Sequence, residues 1–197
     1  MGYHRAGFDV VGVDLSPQPN YPFFHIEGDA LEVLGQVDLS RISAIHASPP
    51  CQGYTALAAV HGNEHPLLIP AVRDALEATG LPHVIENVVG APLRRDLILC
   101  GEMFGLSVIR HRVFELGGWS IDQPEHKPHR GRVAGWRHGQ WFDGPYFAVY
   151  GQGGGKGSVA QWQEAMGIDW TSDRRELAEA IPPAYTEHIG RQLLEMV

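Results

Sequence analysis

Ser48-Pro49-Pro50-Cys51-Gln52 sets a thiol beside two residues that stiffen its surroundings. Thiolate is the most nucleophilic side chain available near neutral pH, so a cysteine on a rigid loop can add to an electrophilic carbon. The prolines lack N–H groups and fix φ, which stops any strand that runs into them. A second chemical group stands at Ile85-Glu86-Asn87-Val88, a carboxylate and an amide that follow an apolar run. A carboxylate there can give or take a proton. Plainer readings stand beside these. A lone cysteine is most often a small buried hydrophobe, and a carboxylate in a loop can cap backbone N–H groups.

The elements that must position these groups follow from apolar patterning. Residues 42–47 and 82–87 read as short buried strands, one ending just before the cysteine loop, the other at Glu86-Asn87. In open α/β sheets ligands bind beyond the carboxyl ends of strands, so both groups can face one crevice. Residues 8–13 form a further β-branched run ending in Asp14, then a turn through Ser16-Pro17-Gln18-Pro19-Asn20. A short strand is predicted over 23–26, and Gly28-Asp29 opens a helix over 30–34. The Cys51 loop extends to about residue 66, and a helix over 67–78 closes at Gly80. This alternation predicts an α/β fold with a parallel sheet. Past Val88 the pattern loosens. Residues 108–116 alternate like a strand, and 117–157 read as an irregular insert rich in Gly, Pro, His and Trp, with one strand-like run at 146–150. Helices are predicted over 159–166, 173–180 and 184–196, the last two separated by Pro182-Pro183.

The chain has 197 residues and a net charge of −8. That length suits one domain with a small insert and a real core. No apolar stretch reaches transmembrane length and no signal-peptide pattern opens the chain, so no membrane partner is expected. The two cysteines, Cys51 and Cys100, make no disulfide framework, which fits a reducing cytoplasm. Residues 110–138 hold six Lys/Arg against three acids, a local +3 that leaves −11 on the rest. One basic segment on an acidic body fits a phosphate-contacting surface, and equally a solvated loop with scattered charge. His126-x-x-His129 has ligand side chains but no accompanying cysteine pair, so a solvated histidine-rich loop and no metal are expected. Gly151-Gln152-Gly153-Gly154-Gly155-Lys156-Gly157-Ser158 is near the phosphate-binding-loop pattern, but its spacing is one short and Gly157 replaces the metal-binding hydroxyl. A loop touching nucleic-acid backbone through Lys156 is the preferred reading. A nucleotide-binding enzyme built on this loop is a distant alternative.

Pro50-Cys51-Gln52, Glu86-Asn87-Val88 and Arg110-His111-Arg112 resemble, in this order, the motifs of the DNA cytosine-5 methyltransferases. Three such matches in order are specific, and the resemblance runs from Met1 to about Arg191. It implies an α/β, Rossmann-like class I S-adenosylmethionine-dependent methyltransferase fold with a small irregular target-recognition insert. Residues 1–112 would form the catalytic core, 113–158 the recognition region, and 159–197 the C-terminal helices that complete the core. The implied reaction moves a methyl group from S-adenosylmethionine to C5 of a flipped cytosine in double-stranded DNA, through a covalent bond between Cys51 and C6. Glu86 would act on N3 and the exocyclic amine, while Arg112, with Arg110, would hold O2 and the flanking phosphate. Asp14 would suit the cofactor ribose and Asp29 the adenine amino group, although either is also a good helix N-cap. Pro50, Ala180 and Ile181 fall at further cofactor positions. Gln52, Arg130, Arg132, Arg137 and Lys156 are expected at DNA. Two plainer readings remain open, Arg110 and Arg112 as surface cations and Asn87 as a loop-shaping amide. Glu164-Ala165-Met166-Gly167-Ile168 resembles the helix after the recognition region, and Ala180-Ile181-Pro182-Pro183 with Ile189-Gly190 resembles the last motif.

The pattern departs from the family at its start and in its last motif, and its recognition region, about residues 113–158, is short. The family opens with a strand and a Gly-rich loop whose N–H groups cradle the cofactor. Here residues 1–8 resemble the helix after that loop, so the chain is expected to be N-terminally truncated and to lack the first strand, which would leave strand edges unpaired. Ala178-Glu179 stand where the family has Gly-Asn. The alternative function is therefore a non-catalytic DNA-binding remnant of such an enzyme.

Overall fold

A computed structural model describes residues 1–54, 66–151 and 157–197, with Arg137 described by its backbone alone. The chain is mixed α/β. In order the elements are α1 (Gly2–Ala6), β1 (Val11–Asp14), β2 (Phe24–Glu27), α2 (Ala30–Leu34), β3 (Ile45–Ala47), α3 (Ile69–Thr79), β4 (His83–Asn87), β5 (Leu97–Leu99), β6 (Arg112–Gly117), β7 (Gly135–Arg137), β8 (Gln140–Phe142), α4 (Val159–Met166), α5 (Arg174–Glu179) and α6 (Pro183–Leu194). Two compact units share them. One comprises Met1–Glu27, Cys100–Arg110 and Glu125–Met196; the other Gly28–Leu99, His111–Pro124 and Val197. Among the described residues no helix is long and apolar enough to cross a membrane.

In the second unit the strands lie in the order β3-β4-β6-β5. β3 and β4 are parallel, whereas β6 runs antiparallel to both β4 and β5. The sheet is therefore mixed, not parallel as its alternation predicts. All five residues of β4 are buried, which suits a central strand covered on both faces. On one face α3 lays Ile69 and Leu76 over Ile85 and Val113. The helix stops at Gly80, whose left-handed φ of 69° a side chain would disfavour.

Glu115 faces the same side, because it is directly opposite Ile85 in the ladder. It is 1 % exposed. Arg73 from α3 grips it with two bonds, Nε to Oε1 at 2.6 Å and Nη2 to Oε2 at 2.8 Å. Arg94 adds its backbone N–H at 2.9 Å and Nη1 at 3.2 Å. Burial works to raise the Glu115 pKa, but the bonds from Arg73 and Arg94 outweigh it and hold the carboxyl below its ordinary value.

In the first unit β1 and β2 form a separate two-stranded parallel sheet. The helix α1 closes on α6 at Gly190, where a Cβ would come within 2.8 Å of Ala6 Cβ. A second core gathers Val108, Val149, Trp162, Ala165, Met166, Ile168 and Leu177. Its helix α4 starts with a reciprocal Ser158–Gln161 capping box and ends at Gly167 with φ 67°. Sequence patterning misplaces the strand over 108–116: the strand is β6, and Val108 makes only an isolated bridge to Phe147. The run at 146–150 is likewise reduced to bridges, while the region read as irregular holds the β7–β8 hairpin.

Arg73→Ala leaves Glu115 buried with half of its cationic support. The expected cost is about 2–3 kcal/mol, less than the roughly 3–5 kcal/mol of a fully broken buried pair because Arg94 remains. Urea denaturation measures it, and a change below about 0.5 kcal/mol, the scale of surface pairs, would contradict this role.

Candidate functional site

β3 and β4 run side by side in the same direction, with Ala47 opposite Ile85. Their carboxyl ends therefore lie together, and the chain leaving β3 is the cysteine loop. Pro50 cannot donate, so the strand pairing ends there. The Pro49 carbonyl is taken instead by Asn87 at the end of β4, Nδ2 to O at 2.7 Å. Asn87 Oδ1 accepts the Val88 N–H at 2.9 Å, which fixes the amide's orientation. Asn87 is 2 % exposed, so this bond is made out of water.

Past Cys51 the chain makes a 3-10 turn over Gln52–Tyr54, with the Tyr54 N–H on the Cys51 carbonyl at 2.9 Å. The Tyr54 hydroxyl accepts the Ile69 N–H at the start of α3, at 3.2 Å. Cys51 is thus held from both sides, half-buried, with a free thiol. Gln52 and Pro50 are exposed beside it.

Glu86 precedes Asn87 and points to the other face of the sheet. It is opposite Phe114 on antiparallel β6, so Arg112, two residues before Phe114, is its diagonal neighbour. Arg112 Nε lies 3.0 Å from Glu86 Oε1, with both side chains largely buried. Arg112 Nη1 also donates to the His111 carbonyl at 2.9 Å. The carboxyl ends of β3 and β4 and the start of β6 thereby bring Cys51, Glu86, Asn87 and Arg112 to one end of one sheet. A thiol there can add to an electrophilic ring carbon, and a carboxyl group beside a guanidinium can exchange a proton with a ring nitrogen.

His46 belongs to the same face and escaped the sequence reading. It is opposite Val84 in register, packs its ring near Phe114 with centroids 6.5 Å apart, and places Nε2 3.1 Å from Ser48 Oγ. Its signal was a lone histidine inside a three-residue apolar strand, directly before the cysteine loop. Burial pushes its imidazole down to about 4.

The remaining predicted site residues have other partners. Arg110 belongs to the first unit, is 8 % exposed, and donates Nη1 to the Val149 carbonyl at 2.8 Å and Nη2 to the Ala178 carbonyl at 2.6 Å. Its own carbonyl accepts the Tyr185 hydroxyl at 2.7 Å. It ties this core together. Asp14 closes β1, exposed, and accepts the Ser16 N–H at 2.8 Å. Asp29 is the N-cap of α2, accepting Leu31 N–H at 2.8 Å and Glu32 N–H at 3.1 Å. Ala180 caps the end of α5, and Ile181 follows it. Arg130 Nε is bound to Glu102 Oε1 at 2.6 Å, and Arg132 lies over the Phe142 ring at 4.6 Å. Lys156 and the Arg137 side chain lie outside the described residues.

Comparison with protein-family models, curated proteins and solved structures finds no match.

With the His46 pKa lowered from 6.5 to about 4, the unfolded chain binds more protons than the folded one between those values. Stability therefore rises with pH across that window and falls as the solution is acidified through it. His46→Gln should flatten this dependence in unfolding midpoints measured from about pH 7 to about pH 4. An unchanged slope would show that His46 is not held neutral by the fold.

Proposed function

We propose that the chain is a DNA cytosine-5 methyltransferase of Rossmann-like class I architecture. The observation that carries this reading is the meeting of the Cys51 loop, Glu86 and Arg112 at one sheet end, with Arg112 paired to Glu86. The sequence motifs alone place these three types in order. Their convergence is what a shared reaction centre requires.

Cytosine C5 is a weak nucleophile. Adding the Cys51 thiolate to C6 forms a C–S bond and pushes an electron pair toward C5 and N3, which turns the ring into an enamine. The Glu86 carboxyl group, entering protonated, donates its proton to N3 as charge grows there and accepts from the exocyclic amine through its other oxygen; the proton returns to Glu86 when the ring is restored. Arg112, whose Nε lies 3.0 Å from Glu86 Oε1, would hold the pyrimidine O2. S-adenosylmethionine would supply the methyl group as an electrophile: C5 takes it with the enamine pair, the methyl–sulfur bond breaks, and S-adenosylhomocysteine departs. A base, water in the simplest case, then removes the C5 proton, the C–S bond breaks, and Cys51 leaves as thiolate. The base must leave the helix to reach a half-buried thiol, so flipping is part of the reaction.

For the methyl donor, the exposed Asp14 carboxylate at the end of a parallel strand fits a ribose diol. Asp29 is already committed to two backbone N–H groups as a cap, so its service to the adenine amino group would be additional. Of the residues expected at DNA, Arg132 and Gln52 are exposed, while Arg130 would have to share its bond with Glu102.

The test is transfer of labelled methyl from S-adenosylmethionine to C5 of unmethylated double-stranded DNA. Cys51→Ala should abolish transfer and keep DNA binding, and Glu86→Gln should slow it by about 10²–10⁴-fold. Transfer that survives in Cys51→Ala would overturn the mechanism. Salt-sensitive DNA binding with no transfer by the unsubstituted chain would instead favour the binding remnant.

A further inference from the structure

The first unit holds a cluster of soft and imidazole ligands that the reaction above does not use. The Cys100 Sγ and one ring nitrogen each from His126 and His129 lie within 4.8 Å of one another. Cys100 is fully buried. The sequence reading set the histidine pair aside for want of sulfur, and the fold supplies it from a distant part of the chain.

The surroundings are arranged as around a bound cation. The Cys100 side chain accepts the backbone N–H of Met103, which holds the sulfur in place. His129 Nδ1 faces Glu102 Oε2 at 2.7 Å. A carboxylate accepts only, so Nδ1 is the donor of this bond, and Nε2 is the ring nitrogen suited to a metal. Glu102 is itself steadied by Arg130 Nε at 2.6 Å. The two histidine rings stand nearly perpendicular, at 89° with centroids 4.9 Å apart, so they approach edge to face rather than stacked. One thiolate with two imidazoles is a ligand set for zinc, which accepts both donor types and tolerates tetrahedral closure.

We propose that Cys100, His126 and His129 bind one zinc ion, with Glu102 as the positioning residue behind His129. The ion would pin the part of the basic segment from His126 onward to the turn at Gly101–Phe104. This inference is independent of the proposed methyl transfer.

The test uses the full chain, purified without a histidine tag, stripped by chelation and titrated with Zn²⁺ or Co²⁺ alone. The expected result is one metal per chain and, with cobalt, a sulfur-to-metal charge-transfer band. The band should persist in Cys51→Ser, which changes the other cysteine, and vanish in Cys100→Ser. X-ray absorption should count one sulfur and at least two imidazole nitrogens. Glu102→Gln should weaken zinc about 10–100-fold, the usual effect of losing a carboxylate behind a ligating histidine, with the ligand count unchanged. It tests the site even if Cys100→Ser does not fold. No binding, binding without the sulfur band, or a band that follows Cys51 would each overturn the proposal.

Discussion

One hydrogen bond, from Asn87 Nδ2 to the Pro49 carbonyl, decides where the cysteine loop begins. Two consecutive prolines forbid Pro49 and Pro50 from donating to a ladder, and the carbonyl between them would lose its partner on burial. Pro49 is buried. An unsatisfied carbonyl there would cost about 1–3 kcal/mol, so an amide from the neighbouring strand end is worth more than its own bond. Because the same residue ends the strand that carries Glu86, satisfying the loop also fixes the distance along the sheet between the thiol and the carboxylate. Tyr54 then holds the loop's far side on α3.

The two faces of that sheet divide the labour. Residues at 83, 85 and 87 alternate with 84 and 86, and the antiparallel register carries the division onto β6. The α3 face buries Glu115 between Arg73 and Arg94, a satisfied carboxylate whose neighbours are structural. The opposite face carries Glu86 with Arg112, and His46 held neutral beside Ser48. A slip of one residue in the β4–β6 register would exchange Glu86 with its structural neighbours. The register is thus a condition of the proposed chemistry as well as of the fold.

The sequence was most readable where local rules and burial agree. The helix predicted over 159–166 is α4 to the residue, since Ser158 and Gly167 punctuate it on both sides. Strand 82–87 is β4 within one residue, and Asn87 shapes the loop through its amide, as its residue type implied. The antiparallel direction of β6 was not readable, because an apolar run looks the same in either direction. The β7–β8 hairpin was missed because its turn is His138-Gly139, with φ of 51° and 77°, and histidine is not among the Asn, Asp and Gly residues that mark the first position of such a turn. Three-residue strands on either side give too little alternation to reveal it. For the site, motif order identified Glu86 and Arg112 but not their pairing, which needs the ladder register. It also placed Arg110 beside Arg112 in function, whereas the Arg110 guanidinium is engaged by two backbone carbonyls of the first unit's core. Asp29 had two readings from sequence, and the cap is the one visible in its bonds.

The most direct measurement of the central claim is the covalent bond itself. Double-stranded DNA carrying 5-fluorocytosine cannot complete the reaction, because fluorine at C5 does not leave as the proton does, so an adduct on C6 is trapped once methyl transfer has occurred. Incubation with S-adenosylmethionine should yield a protein–DNA species that survives denaturation, with its intact mass equal to protein plus methylated DNA and its cross-link mapped to Cys51. Cys51→Ser should form none. Absence of the adduct from the unsubstituted chain, or its persistence in Cys51→Ser, would contradict the account.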